Sequence, residues 1–202
     1  MDMGLDWDGM KAEIRELHKL ANNPVCEQRV ERDLMLSGNM TGTGLLLEYP
    51  VLFQWLDFRV KSVTSLLKDI YDEVKRANSK VEVRLNSCFE LHEFMGLDHR
   101  AAAAFVDSVR DSDYTEQKGE VSKLSIKKEI LTKTRRGIGF NKPLLAGIGI
   151  RPKATPEIIK TSIRMLANLG VDGLSLGHYD GASYELLRAV KEGMKEADMN
   201  LI

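Results

Sequence analysis

The sequence predicts an α/β protein built on a parallel sheet, and the pattern of its second half supports this fold class. From residue 79 onward, short apolar segments alternate in unbroken order with amphipathic segments, which is typical of strand–helix units with right-handed crossovers. One segment, residues 143–150, is apolar almost throughout, as expected of a strand covered on both faces. Residues 1–78 contain no convincing strand and therefore predict a helical lead-in.

The lead-in contains two predicted helices. Residues 7–21 carry apolar side chains at helical spacing, and the helix ends before Pro24, because proline disfavours helix in the residue that precedes it. A second, long helix is predicted over residues 50–77, since Pro50 suits a first helical turn and a wide apolar stripe follows it. Residues 26–49 are rich in turn formers around single apolar residues.

The second half predicts four strand–helix units. The predicted strands cover residues 81–88, 104–110, 143–150 and 171–176, and the predicted helices cover residues 98–103, 120–135, 155–169 and 183–197. Thr155 and Pro156 supply a capping side chain and a first-position proline to the third helix, and Gly170 follows as a stop. Four such units fit either an open doubly wound sheet or half of a closed barrel. No G-x-G-x-x-G motif follows the first strand, which weakens the dinucleotide-binding form of the open sheet.

Composition restricts the class of partner. The chain has 202 residues, a formal net charge of -1 and 43% hydrophobic residues, which is ordinary for a soluble globular protein. The near-zero charge gives no electrostatic reason to expect a nucleic acid or an acidic membrane as partner. No apolar run approaches the roughly 18 residues of a membrane span, and the acidic N-terminus lacks the features of a secretory signal.

The cysteines predict a reducing compartment. Cys26 and Cys88 lie in unrelated surroundings, which is typical of free thiols, so we expect a cytoplasmic protein. His92 and Glu93 follow Cys88, but no further ligand has matching spacing. The sequence therefore predicts neither a metal site nor another cofactor.

Three stretches of the sequence, in their order and spacing, resemble one enzyme family. They are Trp55-Leu56-Asp57-Phe58-Arg59 with the residues up to Leu85, Gly147-Ile148-Gly149-Ile150-Arg151-Pro152 with Thr155-Pro156-Glu157, and the segment from Gly170 to Gly181. Together they resemble a group of glycoside hydrolases with a (β/α)8 barrel. In such enzymes they look like the helix before the fifth strand, the seventh strand, and the eighth strand with its loop. The match runs over most of the chain.

The resemblance implies that the chain is the C-terminal half of a (β/α)8 (TIM) barrel, with four parallel strands and their helices preceded by a helical segment. Residues 50–202 would be the last βα units of one incomplete domain, because a complete barrel typically takes about 250 residues. Residues 1–49 would be a helical and irregular excursion of that barrel, in which Cys26 resembles the end of a cysteine-containing segment after the fourth strand. The implied activity is hydrolysis of a glycosidic bond in carbohydrate metabolism.

Active sites of barrels lie at the C-terminal ends of the strands, so we predict the candidate site there. Glycoside hydrolysis needs two carboxyl groups flanking the scissile bond, and the segment after the second predicted strand contains Asp111, Asp113 and Glu116. We predict Asp113 as the acid/base and Glu116 as a further catalytic candidate, acting on a carbohydrate substrate. The predicted substrate-binding residues are Arg84, Asn86, Asp111, Tyr114, Arg151, His178 and Asp180.

Two departures from the family pattern accompany this site. The catalytic acid that many barrel glycosidases carry on strand four would lie upstream of Met1, and the presumed strand seven ends at Ile150 and Arg151 without a carboxylate. In a simpler interpretation, the acidic segment is a solvated loop that caps the next helix. Arg151 then pairs with a loop carboxylate such as Asp113, and His178 packs within its loop.

Two other functions stay open at this point. Glycines near the last two predicted strands, Gly147, Gly149, Gly173 and Gly177, suggest a phosphate cradle, as in barrels that bind phosphosugars or flavin. Two of these glycines lie within the strand and not after it, and His178 and Tyr179 occupy the last loop. Alternatively, a non-catalytic half-barrel would self-associate through its exposed strand edges and form a homo-oligomer.

Overall fold

The structure is a computed structural model, and it describes residues 6–21, 47, 49–87, 95–151, 153–177 and 179–199. In these ranges the chain is an α/β protein with a four-stranded parallel sheet and six α-helices. The predicted α/β class and parallel sheet are thereby confirmed. None of the helices in these ranges is both long and apolar enough to cross a membrane.

The elements follow one another as alternating helices and strands. The helices are α1 (Trp7–Ala21), α2 (Pro50–Ala77), α3 (His99–Ala102), α4 (Leu124–Ile138), α5 (Pro156–Asn168) and α6 (Tyr184–Glu196). The strands are β1 (Arg84–Ser87), β2 (Ser108–Asp111), β3 (Leu144–Gly149) and β4 (Gly173–Gly177). Short 3-10 turns cover Ala103–Phe105, Thr115–Lys118, Val121–Lys123 and Tyr179–Gly181. The strands lie in chain order across the sheet, β1-β2-β3-β4, and every neighbouring pair is parallel.

Most predicted boundaries agree with these elements, and α2 begins and ends at the predicted residues. Two elements begin four residues later than predicted. Strand β2 begins at Ser108 and not near residue 104, because Ala103–Phe105 form a 3-10 turn, and α4 begins at Leu124 and not near residue 120, because Val121–Lys123 form another. A short apolar turn and a buried strand are not distinguishable by apolar pattern alone. Helix α4 runs past the predicted end to Ile138, and Gly139 then leaves the helix with a φ of 74°.

Capping side chains fix the starts of the last two helices. The Thr155 hydroxyl accepts a hydrogen bond from Ile158 N at 3.3 Å, and Pro156 occupies the first position of α5. Ser183 caps α6 in the same way and accepts from Leu186 N at 3.3 Å. Each cap satisfies one of the backbone donors that a first helical turn leaves without an intrahelical partner. The predicted start of α5 is confirmed.

The sheet has two different faces because side chains alternate along each strand. On one face Val109, Leu144, Ala146 and Ile148 are fully buried and pack in one apolar core with residues of α5 such as Ile159. The opposite face carries mainly polar and small residues together with Leu145; the others are Asn86, Arg110, Gly147, Gly149, Gly173, Ser175 and Gly177. We call this second side the glycine face.

The chain divides into two compact units, Met1–Leu66 with Glu90–Asp98 and Leu67–Phe89 with His99–Ile202. In the first unit, the rings of Trp7 and Phe58 meet edge to face with centroids 5.5 Å apart. The second unit contains the sheet and the apolar core. The predicted division into an excursion over 1–49 and βα units over 50–202 stays a prediction.

Candidate functional site

The carboxyl ends of the four strands form the edge at which the site was predicted. Ser87, Asp111, Gly149 and Gly177 end β1, β2, β3 and β4. Parallel α/β proteins bind their ligands at this edge, because loops of different units meet there. We call the segment that follows β2, residues 112–119, the β2 loop.

Tyr114 of the β2 loop lies on the glycine face. A Cβ atom on Gly147 would be 2.8 Å from Tyr114 Cε1, and one on Gly177 would be 2.6 Å from Tyr114 Cζ. Both positions therefore need glycine to admit the ring. Arg110 Nη2 donates a hydrogen bond to the Tyr114 hydroxyl at 2.5 Å and fixes that end of the side chain. Tyr114 is only partly buried, so part of its surface is accessible to a solute.

Asp113 is partly exposed and is held by the backbone around it. Its Oδ1 accepts a hydrogen bond from Thr115 N at 2.9 Å, and its own N donates to Asp111 Oδ1 at 3.0 Å. Bonds from an Asp side chain to the backbone two residues later are typical of turns in loops. The Asp113 carboxylate thus has a defined position and keeps access to solvent.

Glu116 has no exposed surface and forms an ion pair with Lys127 of α4, which is equally buried. Glu116 Oε1 accepts hydrogen bonds from Lys127 Nζ and Ser162 Oγ, and Oε2 accepts from Gly149 N at 3.0 Å. Both oxygens are therefore engaged inside the protein. Acid/base catalysis needs a group within reach of the substrate, so this environment argues against the catalytic role predicted for Glu116.

Lys127 also contacts the main chain of two segments. Its Nζ donates to Gly147 O and, at 3.2 Å, to Asp113 O. An ammonium group has three donors, and those of Lys127 reach three protein acceptors. The sequence contains a signal for this residue, because Lys127 lies within the apolar stripe of α4, between the buried Leu124 and Leu131. A lysine on the buried face of a helix needs a partner.

Asp111 faces the core side of the sheet and is only 1% exposed. Burial raises the pKa of its carboxyl group from 3.8 to about 6, although the hydrogen bond from Asp113 N and the charge of Lys127 oppose the shift. Within the described part of the chain, Asp111 Oδ2 is buried and has no hydrogen-bond partner of normal geometry. The substrate-binding role predicted for Asp111 requires an accessible group, and the position of this carboxyl group does not provide one.

Ser87 and His99 form a second buried pair near the same edge. The distance from Ser87 Oγ to His99 Nε2 is 3.1 Å, and both side chains have little exposed surface. His99 lies on α3 close to α4, since a Cβ atom on Gly137 would be 2.7 Å from His99 Cβ. Sequence reasoning did not select this histidine, because nothing in the spacing of the two residues indicates a contact.

The remaining predicted binding residues lie at both ends of the sheet. Asn86 is near the carboxyl end of β1, and its Oδ1 accepts from Ser112 Oγ at 2.6 Å. Arg84 instead begins β1 and pairs there with Glu82 at 2.7 Å. It was expected at the carboxyl end but lies at the amino end, because the strand starts at Arg84 and not near residue 81.

The loops after β3 and β4 are described in part. Arg151 and Asp180 are exposed after those strands, while His178 lies outside the described residues. Cys26, Cys88, His92 and Glu93, considered above for a thiol or metal role, also lie outside them. Among the side chains that the structure describes, no group of three or more His, Cys, Asp or Glu is arranged to hold a metal ion.

Fold and site together define a parallel α/β protein in which a polar loop meets a glycine-lined sheet face at the carboxyl ends of the strands. The chain matches no family model, and no similar protein is found among curated proteins or solved structures. The functional conclusion therefore depends on the chemistry of the residues described above.

Proposed function

We propose that the chain is a carbohydrate-active, glycoside hydrolase-like enzyme built as the C-terminal half of a (β/α)8 barrel. The strand order β1-β2-β3-β4 favours a barrel over an open doubly wound sheet, because doubly wound sheets reverse their strand order at a switch point. The successive strands are parallel and are connected through α3, α4 and α5, as the units of a barrel are.

The position of Tyr114 on the glycine face is the observation that carries the proposal. A partly exposed aromatic ring offers an apolar surface to the C–H face of a sugar, while its hydroxyl group and the Arg110 guanidinium offer hydrogen bonds. Asp113 adds a partly exposed carboxylate next to the ring in sequence, and Asn86 adds an amide at the neighbouring strand end. This combination of one ring and several polar groups suits a sugar better than an apolar ligand.

In the proposed reaction, Asp113 protonates the leaving oxygen while the bond from that oxygen to the anomeric carbon breaks. The hydroxyl group of a water molecule ends on the anomeric carbon, and the remaining proton of that water restores the acid. Hydrolysis also needs a second carboxylate to attack the carbon or to activate the water. The strand-four carboxylate expected for this task stays a prediction, and Glu116 is not assigned to it because both its oxygens are engaged.

A phosphate-binding function receives less support from the glycine face. The space beside Gly147 and Gly177 is occupied by the Tyr114 ring, and a Cβ atom on Gly149 would be 2.5 Å from Gln117 Cγ. These three glycines therefore admit protein side chains and do not leave the open main-chain cradle that a phosphate group requires. In the sugar-binding proposal, the Tyr114 ring lies against Gly147 and Gly177.

Self-association through the sheet edges is a second candidate function. Within the described residues, β1 and β4 each have a neighbouring strand on one side only. Such edges can pair with another chain, and a second copy would place its β1 in parallel beside β4. We expect light scattering to give the mass of a dimer in that case. A monomer over the whole concentration range would contradict self-association and leave the enzyme proposal unchanged.

Hydrolysis of aryl glycosides tests the enzyme proposal. The unmodified chain is expected to cleave at least one member of a panel, and Asp113→Asn is expected to lower kcat by about 10²–10⁴-fold. The loss should be larger for phenyl than for nitrophenyl glycosides, because a poorer leaving group depends more on protonation. Asparagine keeps an oxygen for the Thr115 N–H, so the β2 loop retains its turn.

Glu192→Gln on α6 is the matched control, since it removes a carboxylate whose partner is Lys160 at 2.6 Å and should leave activity unchanged. Equal activity of Asp113→Asn and the unmodified chain on phenyl glycosides would remove Asp113 from the acid/base role. A panel without any cleaved substrate would count against the hydrolase proposal as a whole.

A further inference from the structure

The buried pair Lys127 and Glu116 is hydrogen-bonded to several other parts of the protein besides its own ion pair. Both side chains lack exposed surface, which makes their desolvation expensive. Well-packed apolar residues of similar volume often stabilise a fold as well as a buried ion pair does. The presence of two charges at this position therefore suggests a role that apolar side chains cannot fill.

The hydrogen bonds of the pair indicate that role, because they reach main-chain atoms on both sides of the site. Lys127 Nζ donates to Asp113 O in the β2 loop and to Gly147 O in β3. Glu116 Oε2 accepts from Gly149 N at 3.0 Å. The pair thus joins the loop that carries Asp113 and Tyr114 to the two glycines of β3 on which the loop rests.

The fit between loop and strand is close enough to require such a connection. A Cβ atom on Gly147 would be 2.9 Å from Asp113 O, and one on Gly149 would be 2.9 Å from Tyr114 O. The main chain of residues 113 and 114 therefore lies directly against β3. Apolar packing is non-directional and would not fix this main chain in one position, whereas hydrogen bonds from charged groups do.

We infer that Lys127 and Glu116 are positioning residues, which hold the β2 loop on Gly147 and Gly149 and thereby set the place of the Asp113 carboxylate and the Tyr114 ring. The pair touches no solute itself and acts through the main chain. The inference deepens the proposed function and takes its catalytic meaning from it, but the position of the loop is measurable without any substrate.

The test separates positioning from stability with the double variant Glu116→Gln/Lys127→Met. This variant removes both charges of the pair, so neither member is left buried opposite an uncharged partner, and its glutamine oxygen still offers an acceptor to Ser162 or Gly149. It is compared with Arg135→Met, which removes the other buried cation of α4, and with the unmodified chain. Residue-resolved amide hydrogen exchange and ¹H–¹⁵N spectra report on the loop.

We expect amide hydrogen exchange at Thr115 and Gly149 to accelerate roughly tenfold or more in the double variant. Loss of one charge-assisted hydrogen bond has about this effect. Exchange at Leu144 and Ala146, in the same strand, should change much less. The Gly149 amide resonance should shift in the double variant, and Arg135→Met should leave the Thr115 and Gly149 amides as they are. Where an aryl glycoside is cleaved, kcat should fall more than KM changes.

Two results would overturn the inference. Unchanged exchange at Thr115 and Gly149 would show that packing alone holds the loop, and a uniform acceleration over the whole sheet would reduce the pair to a contributor to global stability. Failure of the hydrolase proposal gives a different pattern, in which the loop amides respond as expected while no glycoside is cleaved by any form of the chain.

Discussion

Lys127 and Arg135 are two buried cations on the same helix that donate hydrogen bonds at opposite ends of the sheet. They lie about two turns apart on α4. Lys127 meets Glu116 near the carboxyl ends of the strands. Arg135 donates to Gly139 O at 3.0 Å, to Lys142 O at 2.9 Å and to Asp172 Oδ2 at 2.7 Å, which are all near the amino ends of β3 and β4.

The two sites differ in what surrounds the partner carboxylate. The Glu116 side chain has no exposure, whereas the Asp172 side chain is 46% exposed and stays hydrated if its partner is removed. Asp172 Oδ2 also accepts from Leu144 N at 2.7 Å. Water can therefore replace Arg135 but not Lys127. We therefore expect burial of the partner, and not of the cation, to decide how strongly the fold depends on each residue.

The largest effect is expected from Lys127→Met, because it leaves the Glu116 carboxylate buried and unpaired. We expect the free energy of unfolding to fall by about 3–5 kcal/mol, measured by urea denaturation near neutral pH. Adding Glu116→Gln to the same chain should restore a large part of this loss. A decrease below about 1 kcal/mol for the single variant would show that water reaches the pair and would remove the contrast with Arg135.

Asp111, at the carboxyl end of β2, makes the free energy of unfolding depend on pH. Its folded-state pKa of about 6 lies above the ordinary value of 3.8, so its protonated form favours folding. The contribution of protonated Asp111 to the free energy of unfolding is on the order of 3 kcal/mol. It is fully present below about pH 4 and is lost as pH rises through 6. Asp111→Asn should therefore match the unmodified chain near pH 4 and exceed it in unfolding free energy near pH 8.

The exposed Asp180 provides the control for this measurement, since Asp180→Asn removes a carboxylate at the same end of the sheet without removing a buried group. This variant should lack the gain in unfolding free energy that Asp111→Asn shows near pH 8, because it removes no buried carboxylate. Identical pH profiles for Asp111→Asn and the unmodified chain would mean that the Asp111 carboxyl group is hydrated, and the two ends of the sheet would then differ less than the burial indicates.

Arg135→Met should have the smallest effect of the three on the free energy of unfolding. It removes donors from the carbonyl groups of Gly139 and Lys142 and from Asp172, residues that are all at least partly exposed, and we expect a loss of about 2 kcal/mol. Thermal or urea unfolding measures the loss. A loss equal to that of Lys127→Met would contradict the dependence on partner burial.

The parts of the fold that could be predicted are those fixed by local chemistry. Pro50 and the apolar stripe after it defined α2, and Thr155 with Pro156 defined the start of α5. The start of β2 could not be predicted in the same way, because Ala103–Phe105 are apolar and form a 3-10 turn, which an apolar pattern does not distinguish from a strand. Likewise the start of β1, and with it the end of the sheet at which Arg84 lies, depends on pairing with β2.

The candidate site was predictable in its location and less so in its roles. The carboxyl ends of the strands follow from the parallel topology, and Asp113, Tyr114 and Asn86 lie there. The burial of Glu116 was not predictable, because its partner Lys127 comes 11 residues later and its other contacts, Gly149 and Ser162, come 33 and 46 residues later. An acidic residue in a loop sequence gives no indication of such distant partners.

The contact between Tyr114 and the glycine face has a consequence for how the sequence can vary. The ring fills the volume that side chains at positions 147 and 177 would otherwise take, so the sizes of the residues at these three positions are coupled. A related chain with alanine at either glycine position should carry a smaller residue at position 114. Substitutions at the three sites are therefore expected to be tolerated in combination when they are not tolerated singly.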